Sequence, residues 1–397
     1  MNAEHSFHRY PAVFIHGLFG WGEGTDLEKR YHYWGFGGEK RDLLAYLRRQ
    51  GYEVYAPACG PVSSAWDRAC ELWAILVGGR VDYGKAHAAR YRHARYGRVY
   101  PGLLPDWGEK GPHEKIDIFG HSLGGAAAIV FSDLVARGSE EERAATPPEE
   151  LSPLFLGHPG RIRSVTTLSG VNNGTTFADF FGNRGMRALA GAVYGVNALV
   201  GDTPLMRLFD FDTDQWGIMR DPHSPSAKRA SPVEKCKRIA AYNRNYFDHV
   251  GHEMQVAVRA YHNLRHVPAP DTYYFARRGC RTHDNGRGLQ VPDREMRKIL
   301  KLWSTVIGRY RPARLRPYGF NDGWLPSDGI VNVVGISAPF GAPQADGADG
   351  ETVFRPGLWY NMPVENKHHM SWVGIGESEA DLFAYYDGIF ETLEALC

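Results

Sequence analysis

A chain of 397 residues is long enough for one large domain with insertions or two small ones, and its 43% hydrophobic and 23% charged residues exclude wholesale disorder. A formal net charge of +1 offers no electrostatic footprint for nucleic acid. Five scattered cysteines, Cys59, Cys70, Cys236, Cys280 and Cys397, form neither a metal-type C-x-x-C pair nor a dense disulfide framework; free thiols, or at most an occasional bridge, are expected.

The opening residues, 1–8, lack a basic region followed by an apolar one, so no secretory leader is expected in this chain. Pro11 to Ile15 reads as a buried strand running into the glycine-rich His16-Gly17-Leu18-Phe19-Gly20-Trp21-Gly22. A helix is expected over Arg41 to Gln50, a short strand over Gly51 to Ala56, and a capped amphipathic helix from Ser63 onward. Val77 to Leu104, rich in Tyr, His, Arg and Gly, lacks strong periodicity and reads as an ordered insertion. A β-forming run, Ile116 to Phe119, then leads through Gly120-His121-Ser122-Leu123-Gly124 into an Ala-rich helix reaching about Arg137. Residues 138–150 read as an exposed linker or helix end, and Ile162 to Leu168 as another strand. The apolar stretch that follows is either core helices or a lid; its place between a late-middle strand and the remaining strands favours a lid over 175–235. The longest membrane candidate, Met186 to Val200, is too short to span a bilayer. From 222 to 316 the chain is patchy and basic, which reads as solvated surface, with a strand at Thr272 to Ala276. An amphipathic helix over Ala380 to Leu396 closes the chain. Alternating strands and helices predict an α/β fold, a mostly parallel sheet flanked by helices in one domain over 1–397.

The strand, Gly-x-Ser-x-Gly and helix succession carries the chemistry. Glycines on both sides let strand and helix approach while the serine is held in a strained turn, with a helix N-terminus behind it to stabilise an oxyanion. Ser122 is therefore the expected nucleophile, and the backbone N–H groups of Leu18 and Leu123 the expected oxyanion donors. A serine hydroxyl needs a base oriented by a carboxylate, in the order Ser, acid, His. Asp328, in Ser-Asp-Gly, competes with Asp322, in Asn-Asp-Gly, for the acid. His368 and His369 compete for the base.

At this point the chain resembles the zinc-containing thermoalkalophilic bacterial lipases, with the staphylococcal lipases as more distant relatives. The resemblance runs from about Pro11 to the end. It rests on His16 to Gly22, Gly60 to Glu71, Val81 to Ala89, His93 to Arg98, Tyr100 to Pro105, Asp214-Gln215-Trp216-Gly217 and Asp328 to Asn332. It implies an α/β-hydrolase fold with a zinc-binding insertion over 77–104 and a helical lid. It also implies triacylglycerol lipase activity, with a short-chain carboxylesterase or polyester hydrolase as the alternative. The triad so implied is Ser122, Asp328 and His369, with Leu123 standing where glutamine is frequent. The implied structural zinc ligands are Asp67, His87, His93 and Asp214, a set suited to a tetrahedral ion. The calcium site of the resembled lipases is expected to be absent or rebuilt, because Ser371, Gly376 and Glu377 stand where its acidic ligands would be. An extracellular location is implied by resemblance alone; a cytoplasmic one is expected if this chain is the whole gene product.

Overall fold

Strand β1 (Ala12–Ile15) shows how the core is divided. Val13 and Ile15 point into one apolar cluster, Ala12 and Phe14 into another, as the two-residue period of a strand requires. The computed structural model describes residues 10–36, 41–200, 211–218, 231–244 and 248–396. After β1 come β2 (Val54–Tyr55), β3 (Gly79–Asp82), β4 (Tyr96–Tyr100), β5 (Ile116–His121), β6 (Ile162–Leu168), β7 (Tyr273–Gly279), β8 (Thr282–Asp284), β9 (Gln290–Pro292), β10 (Gln344–Asp346) and β11 (Trp359–Glu365). Seven of these form one sheet in the order β10-β11-β7-β6-β5-β1-β2, and every pairing in it is parallel. A parallel sheet needs both faces covered, which is why β5 and β6 are buried along their whole length.

The helices supply that cover. They are α1 (Leu43–Arg49), α2 (Ala65–Val77), α3 (Lys85–Tyr91), α4 (Leu123–Arg137), α5 (Glu140–Ala145), α6 (Thr176–Val200), α7 (Pro232–Arg244), α8 (Val250–Glu253), α9 (Val256–Asn263), α10 (Lys298–Ile307), α11 (Val333–Ile336) and α12 (Glu379–Glu394). Residues of α2 and α4 pack on the Val13 and Ile118 face; Leu43, Leu47, Tyr386 and Phe390 of α1 and α12 pack on the Phe14 and Phe119 face. Phe14 and Phe119, on adjacent strands, stack at 4.5 Å. Helix α2 begins at Ser64, whose hydroxyl accepts the Asp67 amide at 3.1 Å, an N-cap that fixes where Asp67 projects.

The α/β organisation expected from the sequence is present. Within 77–104, where no periodicity was legible, β3 and β4 pair as an antiparallel ribbon with α3 between them. Of 175–235, the structure describes α6, residues 211–218 and the start of α7; 201–210 and 219–230 lie outside the described residues. Among the described residues no helix is long and apolar enough to cross a membrane. Cys59, Cys70, Cys236 and Cys280 are free thiols, and Cys397 lies outside the described residues.

Candidate active site and metal centre

Ser122 sits between β5 and α4 with φ 57° and ψ −121°, a backbone conformation that is strained for a residue bearing a Cβ. Tight packing imposes it. A Cβ on Gly120 would lie 2.4 Å from the Gly124 carbonyl oxygen, and one on Gly124 would lie 2.2 Å from that of Ile15. The turn is pinned from β6 as well: the Ser122 amide donates to Leu168 at 3.1 Å, and the Val171 amide to the Ser122 carbonyl at 3.0 Å.

His369 reaches this serine from a loop after β11, its Nε2 lying 2.8 Å from Ser122 Oγ. Its Nδ1 donates to Asp328 Oδ2 at 2.7 Å, and its backbone N–H donates to the Asp328 carbonyl at 2.9 Å. The other carboxylate oxygen of Asp328 accepts the amides of Ile330 and Val331 at 2.9 and 2.8 Å. Burial works to raise the Asp328 pKa, but His369 and these two amides hold it below the ordinary carboxylate value. All three side chains are buried; the most accessible, Ser122, keeps 8% of its surface. The neighbours left open by sequence are separated by this geometry. His368 turns back, with Nδ1 accepting the Met370 amide, and the exposed Asp322 pairs with Arg311 at 2.8 Å.

The glycine-rich loop after β1 comes against the elbow: a Cβ on Gly17 would lie 2.9 Å from that of Ser122. Next along, neither the Leu18 nor the Leu123 amide donates to an acceptor among the described residues. The loop is held by groups that the sequence did not single out. Buried His16 donates from Nε2 to the Cys59 carbonyl at 3.0 Å, and the Gly17 amide donates to the Tyr33 hydroxyl at 2.8 Å.

A second cluster gathers Asp67 from α2, His87 from α3, His93 just after α3, and Asp248 just before α8, with one ligand atom from each lying within 4.8 Å of the others. His87 Nε2 lies 3.2 Å from Asp67 Oδ1 and 3.3 Å from Asp248 Oδ2, and His93 Nε2 lies 3.4 Å from Asp248 Oδ2. These four atoms are buried and make no hydrogen bond. The His93 Nδ1–H donates to the Ala94 carbonyl at 2.8 Å, which leaves its Nε2 lone pair facing the cluster. Lone pairs converging in a dry site are satisfied by a cation or by shared protons. With protons alone, burial works to lower the His87 pKa, yet Asp248 and Asp67 raise it to about 10. These residues fit a metal ion: a tetrahedron with bonds of about 2.0–2.1 Å has edges of about 3.3 Å, close to the separations seen.

Asp214, expected as the fourth ligand, stands elsewhere. Its Oδ1 accepts Arg98 Nε and Nη2 at 2.9 and 2.7 Å, and that guanidinium holds it as an ion pair away from the cluster. The motif around it still serves the site. Gln215 Nε2 donates to Asp67 Oδ2 at 3.3 Å, the Ala94 amide donates to the Gln215 carbonyl, and Trp216 packs on His93 at 4.6 Å. Asp248 had no local signal: it lies in a polar stretch far in sequence from the other three, with no helical or strand spacing to link them.

Matches to known proteins extend over nearly the whole chain. The sequence model of the family described as "Lipase-like, C-terminal domain" matches residues 8–393. Lipase 2 of Staphylococcus aureus (strain MRSA252) is 30% identical over 402 residues, covering 99% of this chain and 55% of that protein. The chain thus spans about half the length of the curated relatives it matches. The crystal structure of Staphylococcus hyicus lipase superposes with a TM-score of 0.85 at 28% identity, covering 99% of this chain and 97% of that one. EstA from Clostridium botulinum gives 0.80 at 31% identity, with 98% and 88% covered. Lipase 1 from Pelosinus fermentans gives 0.77 at 32% identity, with 98% and 100% covered. With a strand–serine–helix elbow and a match from residue 8 to residue 393, the chain belongs to the lipase-like C-terminal domain family.

Proposed function

We propose that this protein hydrolyses carboxylic esters of lipids through an acyl-serine intermediate, as a triacylglycerol lipase. The observation that carries the reading is the hydrogen-bonded series Ser122 Oγ, His369 Nε2, His369 Nδ1 and Asp328 Oδ2, at 2.8 and 2.7 Å. As Ser122 Oγ bonds to the acyl carbon, its proton passes to His369 Nε2. The carbonyl electron pair moves onto oxygen, where the Leu18 and Leu123 amides donate to it. The tetrahedral adduct collapses, the ester C–O bond breaks, and His369 gives its proton to the departing alkoxide. Water then attacks the acyl-serine, with His369 taking its proton and returning it to Ser122. Asp328 stays ionised throughout, fixing the Nδ1–H tautomer and stabilising the imidazolium.

The metal in this reading is zinc, bound by Asp67, His87, His93 and Asp248. Two imidazoles and two carboxylates would supply the four ligands that zinc prefers, and the ion would serve structure rather than activate a water. The ion would tie the 77–104 insertion to α2 and to the segment entering α8. Residues 175–235 act as the lid, a reading supported by the exposed Phe180, Leu189 and Val196 of α6.

The test is hydrolysis of p-nitrophenyl esters of increasing acyl length by the parent and Ser122→Ala, with and without a zinc chelator. The reading expects long chains to be cleaved best and Ser122→Ala to lose activity by several orders of magnitude. Cleavage of short chains alone would make the protein a carboxylesterase or polyester hydrolase with the same machinery. Full activity in Ser122→Ala with immediate loss on chelation would make the metal the catalyst, and the absence of any turnover would leave a binding protein on a hydrolase scaffold.

A further inference from the structure

Basic residues are not spread evenly over this chain. Residues 287–316 hold nine Lys and Arg against two acidic residues, Asp293 and Glu295, although the whole chain carries only +1. Helix α10 runs through the middle of that stretch. Leu300, Ser304 and Ile307 form its buried face. Its outer face shows Lys298, Ile299 and Leu302, with 60% of Ile299 and 56% of Leu302 exposed. Three residues apart, these two aliphatic side chains stand next to each other on the helix surface.

Single exposed aliphatics are ordinary, but this pair is flanked by exposed Arg294, Arg297 and Lys298. The ion pairs nearby join Arg311 to Asp322 and Arg314 to Asp179, while Asp293 faces His283; none involves Arg294, Arg297 or Lys298 among the described residues. The patch also continues toward the proposed lid. Trp303 of α10 packs on Phe177 and Phe181 of α6 at 5.0 and 5.6 Å, and Phe181 is itself 37% exposed. Exposed aliphatic tips on a helix, preceded by three cations that form no ion pair among the described residues and by the single exposed acid Glu295, suit a fluid anionic surface. Ile299 and Leu302 can enter an acyl boundary while long cationic side chains reach the headgroups.

We propose that the outer face of α10 docks this protein on an anionic lipid surface. The proposal rests on the ester-hydrolase reading, because that docking presents α6 to the lipid. Each cation near an anionic leaflet contributes roughly fivefold in affinity, and salt weakens the attraction.

The experiment is vesicle flotation with the full-length Ser122→Ala protein, which leaves the lipid intact. Vesicles of phosphatidylcholine alone are compared with vesicles containing phosphatidylglycerol. The expected result is at least about tenfold tighter binding to the anionic vesicles, reduced by salt. Adding Arg294→Glu, Arg297→Glu and Lys298→Glu should remove that difference, and Ile299→Ser with Leu302→Ser should weaken binding to both vesicles. All five side chains are exposed, so matching thermal melts will show that the fold is kept. In the Ser122 background these variants should hydrolyse a soluble butyrate ester at the parent rate. Equal affinity for the two vesicles, or unchanged partition of the charge-reversed variant, overturns the docking. A parent that binds anionic vesicles but never cleaves soluble ester overturns the hydrolase reading instead.

Discussion

The Tyr33 hydroxyl and the imidazole of His121, the residue before Ser122, meet 2.7 Å apart, both buried. His121 Nε2 donates to the His369 carbonyl at 2.9 Å, so the neutral ring must accept at Nδ1, and Tyr33 is the donor there. The same hydroxyl accepts the Gly17 amide at 2.8 Å. One phenol thus joins the glycine-rich loop to the residue preceding Ser122 and, through that imidazole, to the backbone of His369. Tyr33→Phe leaves a buried N–H and a ring nitrogen without partners, a loss of roughly 1–3 kcal/mol for each buried group. We expect kcat on a soluble ester to fall roughly 10- to 100-fold with KM nearly unchanged, because positioning rather than substrate contact is lost. An unaltered kcat would show that the loop holds its place without the phenol.

The same burial makes acid stability a readout of His121. Burial, then His369, pushes its pKa down to about 3, and burial with Arg68 does the same for His16. Folded protein binds no proton at either ring, whereas the unfolded chain binds one at each below about 6.5, so stability is full above that pH and is lost as pH falls toward 3. Glu71 and Glu253 act in the opposite sense. Burial raises both to about 7 from 4.5, so they cost stability as pH rises through that interval and offset the histidines where the windows overlap. In urea titrations across pH, His121→Gln should have an acid limb shallower by roughly 1.4 kcal/mol per pH unit. An unchanged slope would mean that the folded ring carries a proton.

The candidate metal centre takes Asp248 as its fourth ligand where the resemblance implied Asp214. Asp248→Ala is expected to lower bound metal and the thermal midpoint together, whereas Asp214→Ala keeps the ion and loses the pairing with Arg98. Gln215→Ala, removing the amide that donates to Asp67, should weaken metal affinity roughly 10- to 100-fold. Metal content by mass spectrometry alongside melting curves decides between the two ligand sets. Zinc retained in Asp248→Ala and lost in Asp214→Ala would reverse the assignment made from the structure.

What could be read in advance followed from how locally each feature is encoded. The elbow is one contiguous run with strand, glycines and helix in order, so Ser122 and the span of α4 were legible together. Asp328 over Asp322 and His369 over His368 were not decided by their own neighbourhoods. The carboxylate is chosen by a turn that closes its Oδ1 on Ile330 and Val331, and the imidazole by which side chain of the pair faces β5. Tyr33 was invisible for the same reason: its partners lie 16 and 88 residues away in sequence. Of the Asp-Gln-Trp-Gly motif, Gln215 and Trp216 touch the candidate metal cluster while Arg98 pairs with Asp214 outside it.

Helix α6 breaks at Gly182, where φ is 59° and ψ −179°, a conformation open almost only to glycine. Before the break the helix is anchored. The buried Asp179 carboxylate accepts the Val256 amide at 3.0 Å and pairs with Arg314 at 3.1 Å, and its carbonyl accepts the Tyr310 hydroxyl at 3.2 Å. Beyond it, the outward side of α6 exposes Leu189 and Val196. A Cβ on Gly182 would meet nothing within 4 Å, so Gly182→Ala changes backbone preference without a clash. Alanine in this conformation costs on the order of 1–3 kcal/mol, which favours a continuous helix and a different course for the residues after the break. If α6 is the lid, Gly182→Ala should shift the ratio of rates on emulsified long-chain and soluble short-chain esters at least severalfold, with the soluble rate near that of the parent. A parallel fall in both rates would place the glycine in the scaffold, and no change in either would remove the break from any part in lid movement.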